Sequence, residues 1–174
     1  MAENVILVDR NDTEIGLMPK MEAHLTGVLH RAFSVFIFNT KGQLLLQQRA
    51  LDKYHSGGKW TNTCCSHPRI GEDTKDAANR RLLEEMGMNC DLIYGFNFLY
   101  KADVQDGLLE HEYDHVYFGI TDDKPLINKA EVADYKYIEL SALQNDLINQ
   151  PEQYTEWLKI AFDQVLSYYP KMIF

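Results

Sequence analysis

An α+β domain built on a mixed β-sheet flanked by helices is what this sequence predicts, and three features lead there. Short runs rich in β-branched and aromatic residues recur from Val5 to Ile138. One stretch with helical spacing, Thr74 to Met86, interrupts them. The other helical patterns gather near the C-terminal end. At 174 residues the chain is long enough for one sizeable core and short for two, so a single domain over residues 1–174 is expected.

Taken in order, Val5 to Val8 is an apolar run closed by D-R-N-D, a strand and a turn, and Ile15 to Met18 returns as a second strand. Lys20 to His30 has no strong period and reads as a loop with room for one helical turn. A-F-S-V-F-I-F, the N-T-K-G turn and Q-L-L-L-Q-Q-R make a hairpin. Asp52 to Lys59 is a polar loop whose Gly57-Gly58 pair permits close approach to a ligand. Asp73 or Thr74 caps a helix that runs to about Met86 and stops at Gly87. Ala78, Leu82 and Met86 share one face of it, and Arg81 and Glu85 another. Leu92 to Lys101, Glu110 to Ile120 and Tyr135 to Ile138 read as strands, with a turn at Gln105-Asp106-Gly107. Leu140 to Ile148 and Glu152 to Tyr168 read as helices, the second ended by Pro170.

Composition narrows the function. The 45% apolar and 25% charged fractions are those of an ordinary globular domain. With 17 basic and 26 acidic residues the net charge is −9, which argues against nucleic-acid binding through a broad basic field. The start, M-A-E-N-V-I-L-V-D-R, lacks the basic and long apolar regions of a signal peptide, and no apolar run is long enough for a membrane span. Three cysteines, two of them adjacent, do not make a disulfide framework, so a reducing cytoplasm is the expected compartment.

The stretch W-T-N-T-C-C-S-H-P, Trp60 to Pro68, carries most of the chemistry. Residues two apart in an extended segment share a face, so the Cys65 thiol and the His67 imidazole can serve one pocket. The same residues also fit a small buried hydrophobe beside a loop histidine. His24 and His30 lie near loop or strand ends, and Glu110 and Glu112 are two apart on an expected strand. Three imidazoles and two carboxylates suit a divalent metal, although spacing alone leaves open whether they are ligands or surface residues. His111-Glu112-Tyr113-Asp114-His115 matches H-E-x-x-H, but that zinc-protease pattern needs a helix. The aromatic and β-branched flank V-Y-F and the carboxylates at 110, 112 and 114 fit a strand instead. Lys20, Arg49, Lys53 and Arg81 could meet phosphate oxygens, or be ordinary solvated charge.

The segment from Ser66 to Met88 resembles a degenerate Nudix box, G-x5-E-x7-R-E-U-x-E-E-x-G-U with U apolar. Glu72, Arg80, Leu82, Glu84, Glu85, Gly87 and Met88 match it, while Ser66 stands for Gly and Arg81 for Glu. A Nudix-like sheet and helices are thereby implied. Replacing that Glu removes a metal-binding carboxylate of the hydrolase helix and argues against nucleoside-diphosphate hydrolysis. Together with T-N-T-C-C-S-H-P ahead and E-H-E behind, the chain resembles the type 1 isopentenyl-diphosphate isomerases, from K-M-E-A-H through L-H-R-A-F-S, R-A-L-D-K, R-R-L-L-E-E-M-G and F-L-Y-K to Trp157.

That resemblance implies interconversion of isopentenyl and dimethylallyl diphosphate in isoprenoid biosynthesis, by protonation and deprotonation about a carbon–carbon double bond. It implies Cys65 and Glu112 as the two proton carriers, Tyr100 as the hydroxyl assisting the glutamate, and Trp157 as the indole facing the cation. His24, His30, His67, Glu110 and Glu112 would hold one divalent ion, Mn²⁺, Zn²⁺ or Mg²⁺. Lys20, Arg49, Lys53 and Arg81 would meet the diphosphate, bridged by a Mg²⁺ held partly by Glu85. The expected partner is a small homoallylic or allylic diphosphate, with no nucleic acid or membrane, and the expected assembly a monomer or weak homodimer. A nucleotide-diphosphate hydrolase and a non-catalytic Nudix-like binding module are the competing readings. Arg81 argues against the first, and the intact acid/base set against the second.

Overall fold

The structure is a computed structural model and describes residues 3–172. Its centre is β3 (His30–Phe38), which pairs with four other strands. β1 (Asn4–Val8) joins one edge of β3 and carries β2 (Glu14–Pro19) outside it. β4 (Leu44–Arg49) extends the sheet to β5 (Trp60–Thr61) and β9 (Val132–Ile138). β6 (Cys64–Ser66) pairs antiparallel with β3, and β8 (Leu108–Ile120) pairs parallel with β3 and antiparallel with β7 (Ile93–Gln105). The sheet is therefore mixed. The near-continuous apolar run of β3 suits a strand buried on both faces.

Helices cover those faces. α2 (Thr74–Met86) packs Ala77, Ala78, Leu82 and Met86 against Phe33, Val35 and Ile37. α4 (Glu156–Met172) packs Leu158, Ala161, Phe162 and Val165 against Phe36, Phe38, Val116 and Phe118, beside α3 (Leu140–Asn149). α2 has both expected ends: the Asp73 carboxylate accepts from the Lys75 and Asp76 amides at 2.9 and 3.3 Å, and Gly87 closes it at φ 62°. A Cβ at Gly87 would lie 2.5 Å from the Leu126 carbonyl oxygen, so only glycine fits.

Three local expectations differ. Lys20–Thr26 is a seven-residue helix, α1, and not a loop with one turn. So short a helix shows little periodicity, and its docking on β8 and its left-handed Gly27 stop hold it. The helix expected from Glu152 is broken: Pro151–Gln153 is a 3-10 turn, Tyr154 bridges to Trp60, and α4 begins at Glu156. Pro170 lies within α4 and does not end it. Near the end of a helix, proline forfeits one hydrogen bond while its fixed φ remains helical.

Candidate active site

β8 presents its alternate residues Glu110, Glu112 and Asp114 to the α4 side of the sheet, and all three line one pocket. β3 places His30 in register with Glu112, and β7 places Tyr100 opposite the same residue. α1 contributes His24 and the end of β6 contributes His67. The ring centres of His24, His30 and His67 lie 5.1 to 5.9 Å apart. One ligand-type atom from each of His24, His30, His67 and Glu112 falls within 4.8 Å of the others, and His24, His55 and Glu110 make a second such group.

The tautomers of two histidines suit a cation. His24 Nδ1 lies 2.7 Å from the Lys20 carbonyl oxygen and His30 Nδ1 2.9 Å from that of Val28. A carbonyl only accepts, so both Nδ1 atoms carry a proton, and each ring turns its Nε2 to the cluster. The buried His30 Nε2 has no hydrogen-bond partner. Burial also pushes His67 down to about 4, so its ring is neutral near neutral pH, as a ligand must be. His24 Nε2 is 3.7 Å from Glu110, and His30 and His67 Nε2 are 3.5 and 3.2 Å from Glu112. A buried nest of imidazole nitrogens and carboxylates, with the His30 Nε2 left unpartnered, fits a divalent ion.

Burial and the charge of Glu112 oppose ionisation of Glu110, but the imidazoles beside it, His55 nearest at 3.0 Å, outweigh them and hold it down to about 2. Burial likewise opposes ionisation of Glu112, yet His30 and His67 keep it well below the usual carboxylate range. The Tyr100 hydroxyl, kept protonated by burial, has both carboxylates within reach of its one proton, Glu110 at 2.5 Å and Glu112 at 2.8 Å. Asp114 behaves oppositely: burial and the Glu112 charge push it well above its ordinary value, while Ser34 donates to it at 2.8 Å.

β6 splits its cysteines. Cys64 is buried in the α2-side core, whereas Cys65 packs with Tyr100 and Trp157 and lines the pocket. Burial pushes the Cys65 thiol up, against the lowering effect of Arg49, so it is held as S–H. The Trp157 indole N–H donates to the Asn62 side-chain oxygen at 3.2 Å, and Asn62 in turn donates to the Val35 and Cys64 carbonyls. The indole is thus fixed to the strand that carries Cys65.

Lys20, Arg49, Lys53 and Arg81 line the same pocket, with Glu85 among them. Lys20 pairs with Glu3 at 3.3 Å and Lys53 with Glu131 at 3.9 Å. Arg49 donates to the His55 carbonyl at 3.2 Å, and its guanidinium sits 5.3 Å from the centre of the Trp157 ring. Arg81 is the most engaged, bound to Glu84 at 2.5 Å, to Glu85 at 2.6 Å and to Glu131. Gln47 donates to the other oxygen of Glu85 at 2.8 Å.

All the residues expected from the sequence to serve the site line this pocket except His24 and His30, which stand in the imidazole cluster at its wall. His111 and His115 turn away, His111 to the Gly27 carbonyl and His115 to Asp12 at 2.8 Å, as a strand requires. Sequence reasoning missed Tyr54, His55, Asp114 and Glu131. Asp114 left a signal, the period-two run of carboxylates; Tyr54 and His55 left none beyond their loop.

Comparison with known proteins bears on the family and the fold. The NUDIX domain pattern matches residues 28–158. Isopentenyl-diphosphate Delta-isomerase of Pectobacterium atrosepticum is 52% identical over 165 residues, covering 95% of this chain and 92% of that protein. Isopentenyl-diphosphate Delta-isomerase 2 of Aromatoleum aromaticum is 50% identical over 167 residues, covering 96% and 88%. Among solved structures, a Deinococcus radiodurans protein matches with a TM-score of 0.78 at 17% identity, covering 93% of this chain and 98% of that one. A MutT protein from Methanosarcina mazei matches with a TM-score of 0.64 at 16% identity, covering 83% and 95%. At those identities the structures speak for the fold, while the half-identical relatives speak for the lineage. This chain therefore belongs to the Nudix domain family and, within it, to the isopentenyl-diphosphate Delta-isomerase family.

Proposed function

We propose that this protein interconverts isopentenyl and dimethylallyl diphosphate, with Cys65 and Glu112 as its two proton carriers. The observation that carries the reading is one buried pocket holding a protonated thiol, an ionised carboxylate and a fixed indole together. Hydrolysis of a diphosphate needs neither the thiol nor the indole.

A proton adds to the terminal CH₂ of isopentenyl diphosphate, the double-bond electrons form the new C–H bond, and a tertiary cation results. Loss of a proton from the methylene next to the cation restores a double bond one position along. In one direction Cys65 gives the proton and Glu112 takes one; in the other their roles exchange, since the reaction is reversible. An unactivated alkene is a poor base, so the acid must be positioned in a dry site. Trp157 faces the cation, an interaction worth ~2 kcal/mol when desolvated. Tyr100, hydrogen-bonded to Glu112 at 2.8 Å, assists that transfer by steadying the carboxylate.

His24, His30, His67, Glu110 and Glu112 would hold one divalent ion, Mn²⁺, Zn²⁺ or Mg²⁺, whose charge would set the proton affinity of Glu112. Lys20, Arg49, Lys53 and Arg81 bind the diphosphate, and Glu85 would hold part of a Mg²⁺ that neutralises it. For Arg81 this means sharing a guanidinium now held by Glu84, Glu85 and Glu131. The assembly we propose is a monomer or weak homodimer. The three cysteines are free, and no described helix is long and apolar enough to cross a membrane, which supports a cytoplasmic site of action.

Incubation with isopentenyl diphosphate and Mg²⁺ tests the reading. Dimethylallyl diphosphate is the expected product. Released phosphate would mean a hydrolase, and unchanged substrate a binding module.

A further inference from the structure

We infer that His55 is a positioning residue, holding the Glu110 carboxylate from the edge of the imidazole cluster while bracing the Trp157 indole with the same ring. The inference deepens the proposed reading of that cluster as a metal site and rests on it. His55 is 2% exposed, and its Nε2 lies 3.0 Å from Glu110 Oε1. That is nearer than His24 Nε2, which stands 3.7 Å from the same oxygen.

The two histidines face that oxygen with opposite tautomers. His24 gives its Nδ1 proton to a carbonyl and keeps a lone pair on Nε2. His55 Nδ1 meets the Ser56 hydroxyl at 3.1 Å, which can donate to it. Its Nε2 meets a carboxylate, which can only accept, so Nε2 carries the hydrogen. His55 is therefore a donor to Glu110 and not a ligand beside it, the arrangement by which outer hydrogen bonds orient metal-binding groups.

The loop is built to hold this ring. Ser56 has φ 53°, uncommon for a non-glycine residue, and its amide donates to the Gln105 side chain at 2.9 Å. Arg49 donates to the His55 carbonyl, and the Tyr54 ring meets the imidazole edge-on at 4.4 Å between centres. On its far side the imidazole stands edge-on to Trp157, 5.9 Å between centres at 85°. One ring thus links the carboxylate that completes the cluster to the indole of the reaction pocket.

The test is Co²⁺ affinity and absorption of the metal-stripped protein. Wild type binding Co²⁺ is the control for the metal reading, and its failure would overturn that reading and this inference together. His55→Phe keeps a ring against Trp157 but donates nothing; its affinity should fall ~10- to 100-fold, with the Co²⁺ visible band unmoved. His55→Gln restores an amide donor near the Nε2 position and should recover most of the loss. Ser56→Ala, which leaves the ring but frees its tautomer, should fall between. With wild type binding, three results would each overturn the inference alone: unchanged affinity in both His55→Phe and Ser56→Ala, a shifted band in His55→Phe, or a folded His55→Gln as weak as His55→Phe.

Discussion

Tyr100 has one hydroxyl proton and two carboxylates within reach, 2.5 Å from Glu110 and 2.8 Å from Glu112. It can satisfy only one of them well at a time, so a second donor, the His55 ring 3.0 Å from Glu110, matters as much as the phenol. Adjacent cysteines separate chemistry from packing at the same scale. Cys65→Ala should cost several decades of isomerase turnover with the fold intact, since the side chain is small and only half-buried. Cys64→Ala should leave turnover nearly unchanged and cost ~1 kcal/mol of stability, because it opens a small gap in the α2-side core. Steady-state kinetics and urea melts of both variants check this. Equal activity loss at the two positions would mean that packing in this stretch, and not proton transfer, explains the sensitivity.

Element by element, side chains brace the backbone of Trp60 to Pro68. Thr63 donates to the Leu45 carbonyl at 2.6 Å and accepts from the Ile37 amide at 2.9 Å. Thr61 shares a 2.8 Å hydrogen bond with Thr155, which ties the stretch to the start of α4. The run of Thr and Asn residues that looks polar in sequence is therefore buried scaffolding for Cys65 and Trp157. Glu72 does similar work ahead of α2: it accepts from Arg80 at 2.7 and 2.9 Å and from the Arg69 amide at 2.8 Å. Arg80 beside it holds the carboxyl below its ordinary 4.5. A depressed carboxyl stabilises the fold above its unfolded value, and that stability is lost as pH falls through the folded value. Glu72→Gln should thus cost ~1 to 2 kcal/mol at about pH 7 and much less at about pH 3. Urea melts at both values decide it, and a gap independent of pH would sink the argument.

Across the whole molecule, the pocket sits where α1, β3, β6, β7, β8 and α4 meet, so a cation held there would tie α1 to β3, β8 and the end of β6. Anything that binds the native state alone stabilises it, by about 2.7 kcal/mol at a free concentration ~100 times Kd. For a chain of this size that is ~5 to 10 °C in Tm. Chelation should lower Tm by that order, and Mn²⁺ or Zn²⁺ should restore it; a melting curve indifferent to chelator would remove the metal from the proposal. His67→Ala should abolish most of the shift.

The sequence determined on its own those features whose cause is local. Asp73 and Gly87 bound α2 because a cap and a left-handed stop act within one turn. The alternation of Glu110, Glu112 and Asp114 assigned a face because strand geometry has period two. The same period ruled out helical H-E-x-x-H, and His111 and His115 do turn away. Tertiary structure decided what depends on segments meeting. His55 reaches Glu110 because β7 and β8 form a long hairpin whose Gln105 grips the Ser56 amide. Arg81 is claimed by Glu131 from the loop before β9, a partner with no helical spacing to announce it. The break before Glu156 arises because Tyr154 bridges to Trp60, and pairing with a distant strand overrides helical propensity. Local patterns set which side chains share a face; only chain closure sets which faces meet, because those contacts depend on loop paths that no short period encodes.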